Sequence, residues 1–170
     1  METKTSAASK FGGEFTIQEH QSSSENENYI VLGKLNAAWS TLDYCLRLAL
    51  KRKREISIND SEADKIFEYN HGKLIETLLK EYEENQSVIS EVNTVGRRED
   101  KEKLYARRNK YIHALWAKDE KGQKVYQKIG GKEWREPIDF SHEDISELIC
   151  EIEKTAFGIV DRTKPNRVTP

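Results

Sequence analysis

The sequence predicts an all-α domain: a bundle of four to five helices with a small hairpin or loop inserted before the last one. Three observations carry this. Apolar residues recur at three- and four-residue spacing in several separate stretches, the period of one helix face. Each stretch leaves a polar face, and striped helices of this kind are buried by packing helix on helix. At 170 residues the chain has the length of one domain, large enough to bury a core.

The elements follow in order. Residues 1–24 are polar, with Gly12-Gly13 and Ser22-Ser23-Ser24, and read as a flexible N-terminal arm. Ser24 is a plausible N-cap, with Glu25 and Glu27 in the favoured first turn. The first helix then runs to about Lys53 on Leu35, Ala38, Trp39, Leu42, Cys45, Leu46, Ala49 and Leu50. Lys51-Arg52-Lys53-Arg54 close it, either complementing the helix dipole or offering a phosphate-contacting patch.

Asp60 or Ser61 caps a second helical region, which falters near Asn70-His71-Gly72 before the stripe of Leu74, Ile75, Leu78, Leu79 and Tyr82. A third stretch spans about Ser87 to Trp116, with Gly96 as a bend. Val125, Tyr126 and Ile129 lie on one side of Gly130-Gly131, and Trp134 and Ile138 on the other, as in a hairpin. Ser141 with Asp144 resembles a capping box, opening the last helix on Ile145, Leu148, Ile149, Ile152, Ala156, Ile159 and Val160. Pro165 ends it. The helical domain therefore covers 25–163, with a tail at 164–170.

Composition excludes several classes. No apolar run approaches the ~20 residues that span a bilayer, and the N-terminus lacks an apolar signal region, so no membrane partner and a cytoplasmic setting are expected. Cys45 and Cys150 form no CxxC, and each sits in an apolar helical pattern that suits a reduced, buried thiol. His20, His71, His113 and His142 are scattered, with no second histidine at ligand spacing. Neither a metal nor a cofactor is expected, and no nucleotide-loop or hydrolase signature is present.

Charge is the informative exception. The whole chain is net −2. The segment from Arg97 to Lys110 carries Arg97, Arg98, Lys101, Lys103, Arg107, Arg108 and Lys110 against Glu99, Asp100 and Glu102. Such a local basic patch can contact a polyanion that the bulk charge would repel. Arg97, Arg98, Lys101, Arg107 and Lys110 are the candidate RNA-binding residues. If the helix continues, Asn109, His113 and Trp116 fall on neighbouring turns of one face, joined by Tyr105. Arg108 lies about 140° away around the axis and reaches that face only by extension or from another subunit.

Arg108, Asn109 and His113 carry the chemistry of metal-independent RNA cleavage. Histidine transfers protons near neutrality, a guanidinium fork meets developing phosphate charge, and an amide orients either. The RNA 2′-hydroxyl supplies the nucleophile. The competing structural reading is a histidine beside an aromatic seam with a solvated basic face.

Arg108-Asn109-Lys110-Tyr111-Ile112-His113 resembles the Arg-x4–6-His motif of the HEPN superfamily (higher eukaryotes and prokaryotes nucleotide-binding domains). A helical domain of this size, with the motif late in a helix and a terminal helix following, is similar in plan. The resemblance implies a homodimer whose motif helices form one cleft, and often an endoribonuclease acting as a toxin or defence component under an antitoxin or regulatory protein. It implies that Arg108 binds the scissile phosphate, His113 transfers protons and Asn109 orients them. Arg107 also satisfies the spacing. The alternative within the same resemblance is a non-catalytic helical dimer that binds RNA or a protein.

Overall fold

The computed structural model describes residues 5–8, 14–17, 23–57, 60–97, 99–119, 122–129, 133–138 and 141–165, with side chains described for 27–57, 60–97, 99–113 and 141–165. The predicted helical bundle is its body. It is made by α1 (Ser23–Lys53), α2 (Ser61–Phe67), α3 (His71–Glu81), α4 (Gln86–Val95), α5 (Leu104–Ile112) and α6 (His142–Arg162). In the N-terminal segment, expected to be a flexible arm, β1 (Thr5–Ala8) pairs antiparallel with β2 (Glu14–Ile17). Between α5 and α6 lies a three-stranded antiparallel meander, β3 (Ala114–Asp119), β4 (Gly122–Ile129) and β5 (Glu133–Ile138).

The backbone of the bundle is the pair α1 and α6, which run side by side in the same direction. Asn28 meets His142 at their N-terminal ends, through a 2.6 Å bond to His142 Nε2. At the other end Arg52 donates to the Val160 carbonyl at 3.0 Å and to Thr163 Oγ1 at 3.2 Å. A parallel pair needs a long connection, and α2 to α5 with the meander supply it. Leu35, Leu42, Leu46 and Leu50 of α1 are buried with Ile145, Leu148, Ile152 and Ile159 of α6, and α3 and α4 add Leu74, Ile75, Leu78, Val88, Val92 and Val95.

The four bases that close α1 are built into this packing. Arg52 satisfies the end of α6, Arg54 pairs with Glu81 of α3, Lys51 Nζ sits 4.4 Å from the Phe67 ring centroid and Lys53 Nζ 5.4 Å from that of Tyr82. These contacts accord with their reading as helix termination, to which they add tertiary tethering.

Helix breaks account for the number of helices. Asn70, in an extended conformation, accepts from the Lys73 amide at 2.9 Å and starts α3 afresh. Gly96 ends α4 at φ +70. The Arg97 amide then donates to Asp100 Oδ2 at 2.8 Å, and the Lys103 amide to the Asp100 carbonyl at 2.9 Å, turning the chain.

Gly96 is required twice over. Its φ is left-handed, and a Cβ there would lie 2.3 Å from Lys103 Cβ. Gly96→Ala is therefore expected to lower the stability of the bundle by about 1–3 kcal/mol, measured by urea unfolding. An unchanged midpoint would show that the turn does not hold α5 in place.

The predicted long helix from Ser87 to Trp116 is thus corrected at both ends of its motif. It breaks at Gly96, and α5 stops at Ile112, so Trp116 belongs to β3 rather than to the helix. The expected common face of Tyr105, Asn109, His113 and Trp116 does not form. The expected hairpin about Gly130-Gly131 is β4–β5, extended by β3.

Candidate functional site

The short helix α5 presents its residues to three different surroundings. Leu104 and Tyr111 are buried and anchor it to the bundle. Arg107 turns to α6 and forms a two-pronged ion pair with Glu151, which raises its pKa above the ordinary value. Its charge is neutralised within the protein. Arg108 turns the other way, to α1. It donates through one terminal nitrogen to Asn109 Oδ1 and through the other to Asn36 Oδ1, both at 2.9 Å. Its guanidinium carbon lies 5.6 Å from the Trp39 ring centroid.

Arg108 differs from Arg107 in kind. Among the described residues no carboxylate pairs with Arg108, and its Nε is buried without a hydrogen-bond partner. Burial pushes its pKa below the ordinary value. A desolvated cation satisfied only by neutral amides retains the full demand for an anion. Of the two arginines that fit the motif spacing, Arg108 is the one with charge to offer.

Behind it stands an aromatic cluster from three helices. His71, the first residue of α3, stacks on Tyr105 of α5, with centroids 4.1 Å apart and planes within 9°. Trp39 of α1 meets both at a tilt, 45° to His71 and 54° to Tyr105. His71 Nε2 lies 3.0 Å from the Gly96 carbonyl, an acceptor, so Nε2 carries the proton. Nδ1 is then a buried lone pair without a partner. The aromatic spacing made Trp39 a core residue and gave no reason to connect His71 with the motif. The link is tertiary, through the turn at Gly96 that brings α5 back beside α3.

Burial lowers the His71 pKa, with the Gly96 bond opposing it. A histidine with a depressed folded pKa binds its proton more readily when unfolded. Stability is therefore full above the unfolded value of about 6.5 and falls as pH drops through that value toward the folded one. Denaturant titrations from pH 7.5 down to pH 5 should show this decline, reduced in His71→Gln. An identical decline in the variant would assign it to carboxylates instead.

His113 caps the C-terminus of α5. Its amide donates to the Asn109 carbonyl at 3.1 Å, and its side chain is exposed. Arg108 and His113 thus flank the last turn of α5, with no hydrogen bond between them among the described residues. Asn109 joins the two through its side chain to Arg108 and its carbonyl to His113.

The remaining predicted contacts divide. Lys101 is exposed, and Arg97 is half-buried in the turn after Gly96. Lys110 is half-buried, its Nζ 5.6 Å from the Tyr111 ring centroid. Arg107 is committed to Glu151. Arg98 and His20 lie outside the described residues. Cys45 is buried, but Cys150 is exposed on α6, against the expectation of two buried thiols, and both are free. Among the described residues no cluster of His, Cys, Asp and Glu is placed to hold a metal, and no helix is long and apolar enough to cross a membrane.

Compared with family models, curated proteins and solved structures, the chain matches none at a significant level.

Proposed function

We propose that the protein is a metal-independent endoribonuclease of the HEPN-like kind, acting on single-stranded RNA. The observation that carries this is Arg108: a half-buried guanidinium with no carboxylate partner among the described residues, held by two amides on a helix that ends at an exposed histidine. Arg108 holds the scissile phosphate. The RNA 2′-hydroxyl attacks phosphorus as its proton leaves, the P–O5′ bond breaks, and the departing 5′-oxygen takes up a proton. His113 is the proton-transfer group, and Asn109 fixes the arginine. Lys101, Arg97 and Lys110 add electrostatic attraction along the strand.

In this reading the active form is a homodimer. Arg108 reaches toward α1 while His113 stands at the end of α5, so a two-fold axis near that end would complete each phosphate site with the partner subunit's His113. Light scattering should give the dimer mass at tens of micromolar, and a monomer mass would remove the composite cleft. An antitoxin or regulatory protein covering the basic surface, and a cytoplasmic setting, belong to the same proposal.

The test is incubation of the protein with single-stranded RNA in EDTA. Products should carry a 5′-hydroxyl and a 2′,3′-cyclic or 3′-phosphate end, and a strand with 2′-deoxyribose at the cut site should resist. Cleavage of the deoxy strand at the normal rate would overturn the internal-nucleophile mechanism. The second reading, a helical RNA-binding module without turnover, is favoured by the fact that Arg108 is already tied to Asn36 and Asn109 within one chain. It predicts RNA bound and left intact.

A further inference from the structure

We infer that α1 contributes a nucleotide subsite beside Arg108, in which Trp39 is the stacking platform for an RNA base and Asn36 a donor to the adjoining phosphate. The inference rests on the RNA reading above and deepens it, because nothing in the motif involves α1.

The first argument is hydrogen-bond accounting. Arginine only donates, so both amides must turn their oxygens toward Arg108. The geometry agrees, with Asn36 Oδ1 and Asn109 Oδ1 each 2.9 Å from a guanidinium nitrogen. What the two amides keep for a ligand is N–H, since among the described residues neither Nδ2 makes a hydrogen bond. Around Arg108 the free hydrogen-bonding capacity is therefore dominated by donors, a guanidinium and two amide N–H groups. Its complement is a group made of acceptors and negative charge, as a phosphodiester is.

The second argument concerns the ring. Trp39 is half-buried, and the rings next to it meet it at 45° and 54°, so neither lies flat on the indole. The parallel stack in the cluster is spent between His71 and Tyr105. Those two meet the indole at a tilt, and Arg108 lies over its ring with the guanidinium carbon 5.6 Å from the centroid, so a base stacks on the face turned away from Arg108. An aromatic face one step from a phosphate cation is the arrangement by which single-stranded RNA is bound without base pairing. A bare phosphate would use Arg108 and Asn36 and ignore Trp39, whereas a nucleotide uses all three.

Fluorescence anisotropy with two short labelled strands tests this. One is 2′-O-methyl oligouridine, which cannot be cut. The other has the same length and charge with abasic residues throughout. The wild-type protein should bind the base-bearing strand about tenfold more tightly. Trp39→Leu should lose most of that preference while binding the abasic strand as before, and Trp39→Phe should keep most of it. Asn36→Asp, which hands Arg108 a carboxylate, should weaken both strands alike. Equal wild-type affinity for the two strands would overturn the stacking subsite whatever the folding of the variants. So would an equal loss for both strands in Trp39→Leu. Failure of the wild type to bind either strand at low salt would instead overturn the RNA reading, and the subsite with it.

Discussion

His113→Ala is expected to lower RNA cleavage by about 10²–10⁴-fold while leaving RNA affinity nearly unchanged, the cost of losing a general acid or base. The reason lies in how His113 is placed. The backbone is fixed by the hydrogen bond that its amide donates to the Asn109 carbonyl, but the side chain is exposed, and no group among the described residues holds its ring. Phosphate binding rests on the fixed charge of Arg108, so removal of the His113 ring appears in the rate. Because the residue lies exposed at a helix end, the fold should not change. Equal cleavage by His113→Ala and the wild type would leave the non-catalytic RNA-binding module as the better account.

The second large effect is on stability. Arg47→Ala is expected to destabilise the protein by about 3–5 kcal/mol in urea unfolding. Among the described residues of α1, Arg47 is the charged side chain buried most deeply, at 9% exposure. Its Nε donates to Asp43 Oδ2 at 2.6 Å and one terminal nitrogen to Asp43 Oδ1 at 3.2 Å. The same fork reaches the carbonyls of Ile66 and Tyr69, closing the C-terminal end of α2. Truncation leaves a partly buried carboxylate without its cation and takes a donor from the carbonyls of Ile66 and Tyr69. Arg47→Lys should recover only part of the loss, since one ammonium cannot span both the carboxylate and the carbonyls. A loss below ~1 kcal/mol for Arg47→Ala would mean that α2 frays without cost.

Periodicity made the bundle legible because its faces are wide. Leu35 to Leu50, Leu74 to Tyr82 and Ile145 to Val160 are read off as stripes, and those stripes are the core. The breaks were less legible. Between Val95 and Leu104 there is no apolar residue to reveal whether the chain continues as helix, and only the positive φ of Gly96 and the turn at Asp100 decide it. At the other end, Ala114-Leu115-Trp116 suits the helical period as well as a strand. Pairing with Val125 to Gln127 draws it into the sheet, a long-range preference that a local window does not contain.

The motif residues were legible as a spacing, and their environments were not. Arg107 and Arg108 are indistinguishable in sequence. Glu151, forty-four residues away, separates them by neutralising the first. Asn36, Trp39 and His71 carried no signal for the site, since each joins it through packing of α1 and α3 on α5.

The most direct measurement compares the two neighbouring arginines. RNA affinity at several salt concentrations and cleavage rate are recorded for Arg108→Ala, Arg108→Lys and Arg107→Ala. If Arg108 holds the phosphate, Arg108→Ala should lose both affinity and rate, with a shallower salt dependence. Arg108→Lys should recover binding better than rate, because a point charge does not reproduce the fork. Arg107→Ala should change RNA binding little, since its charge is spent on Glu151. Wild-type affinity and rate in Arg108→Ala, or a loss in Arg107→Ala that matches it, would contradict the account.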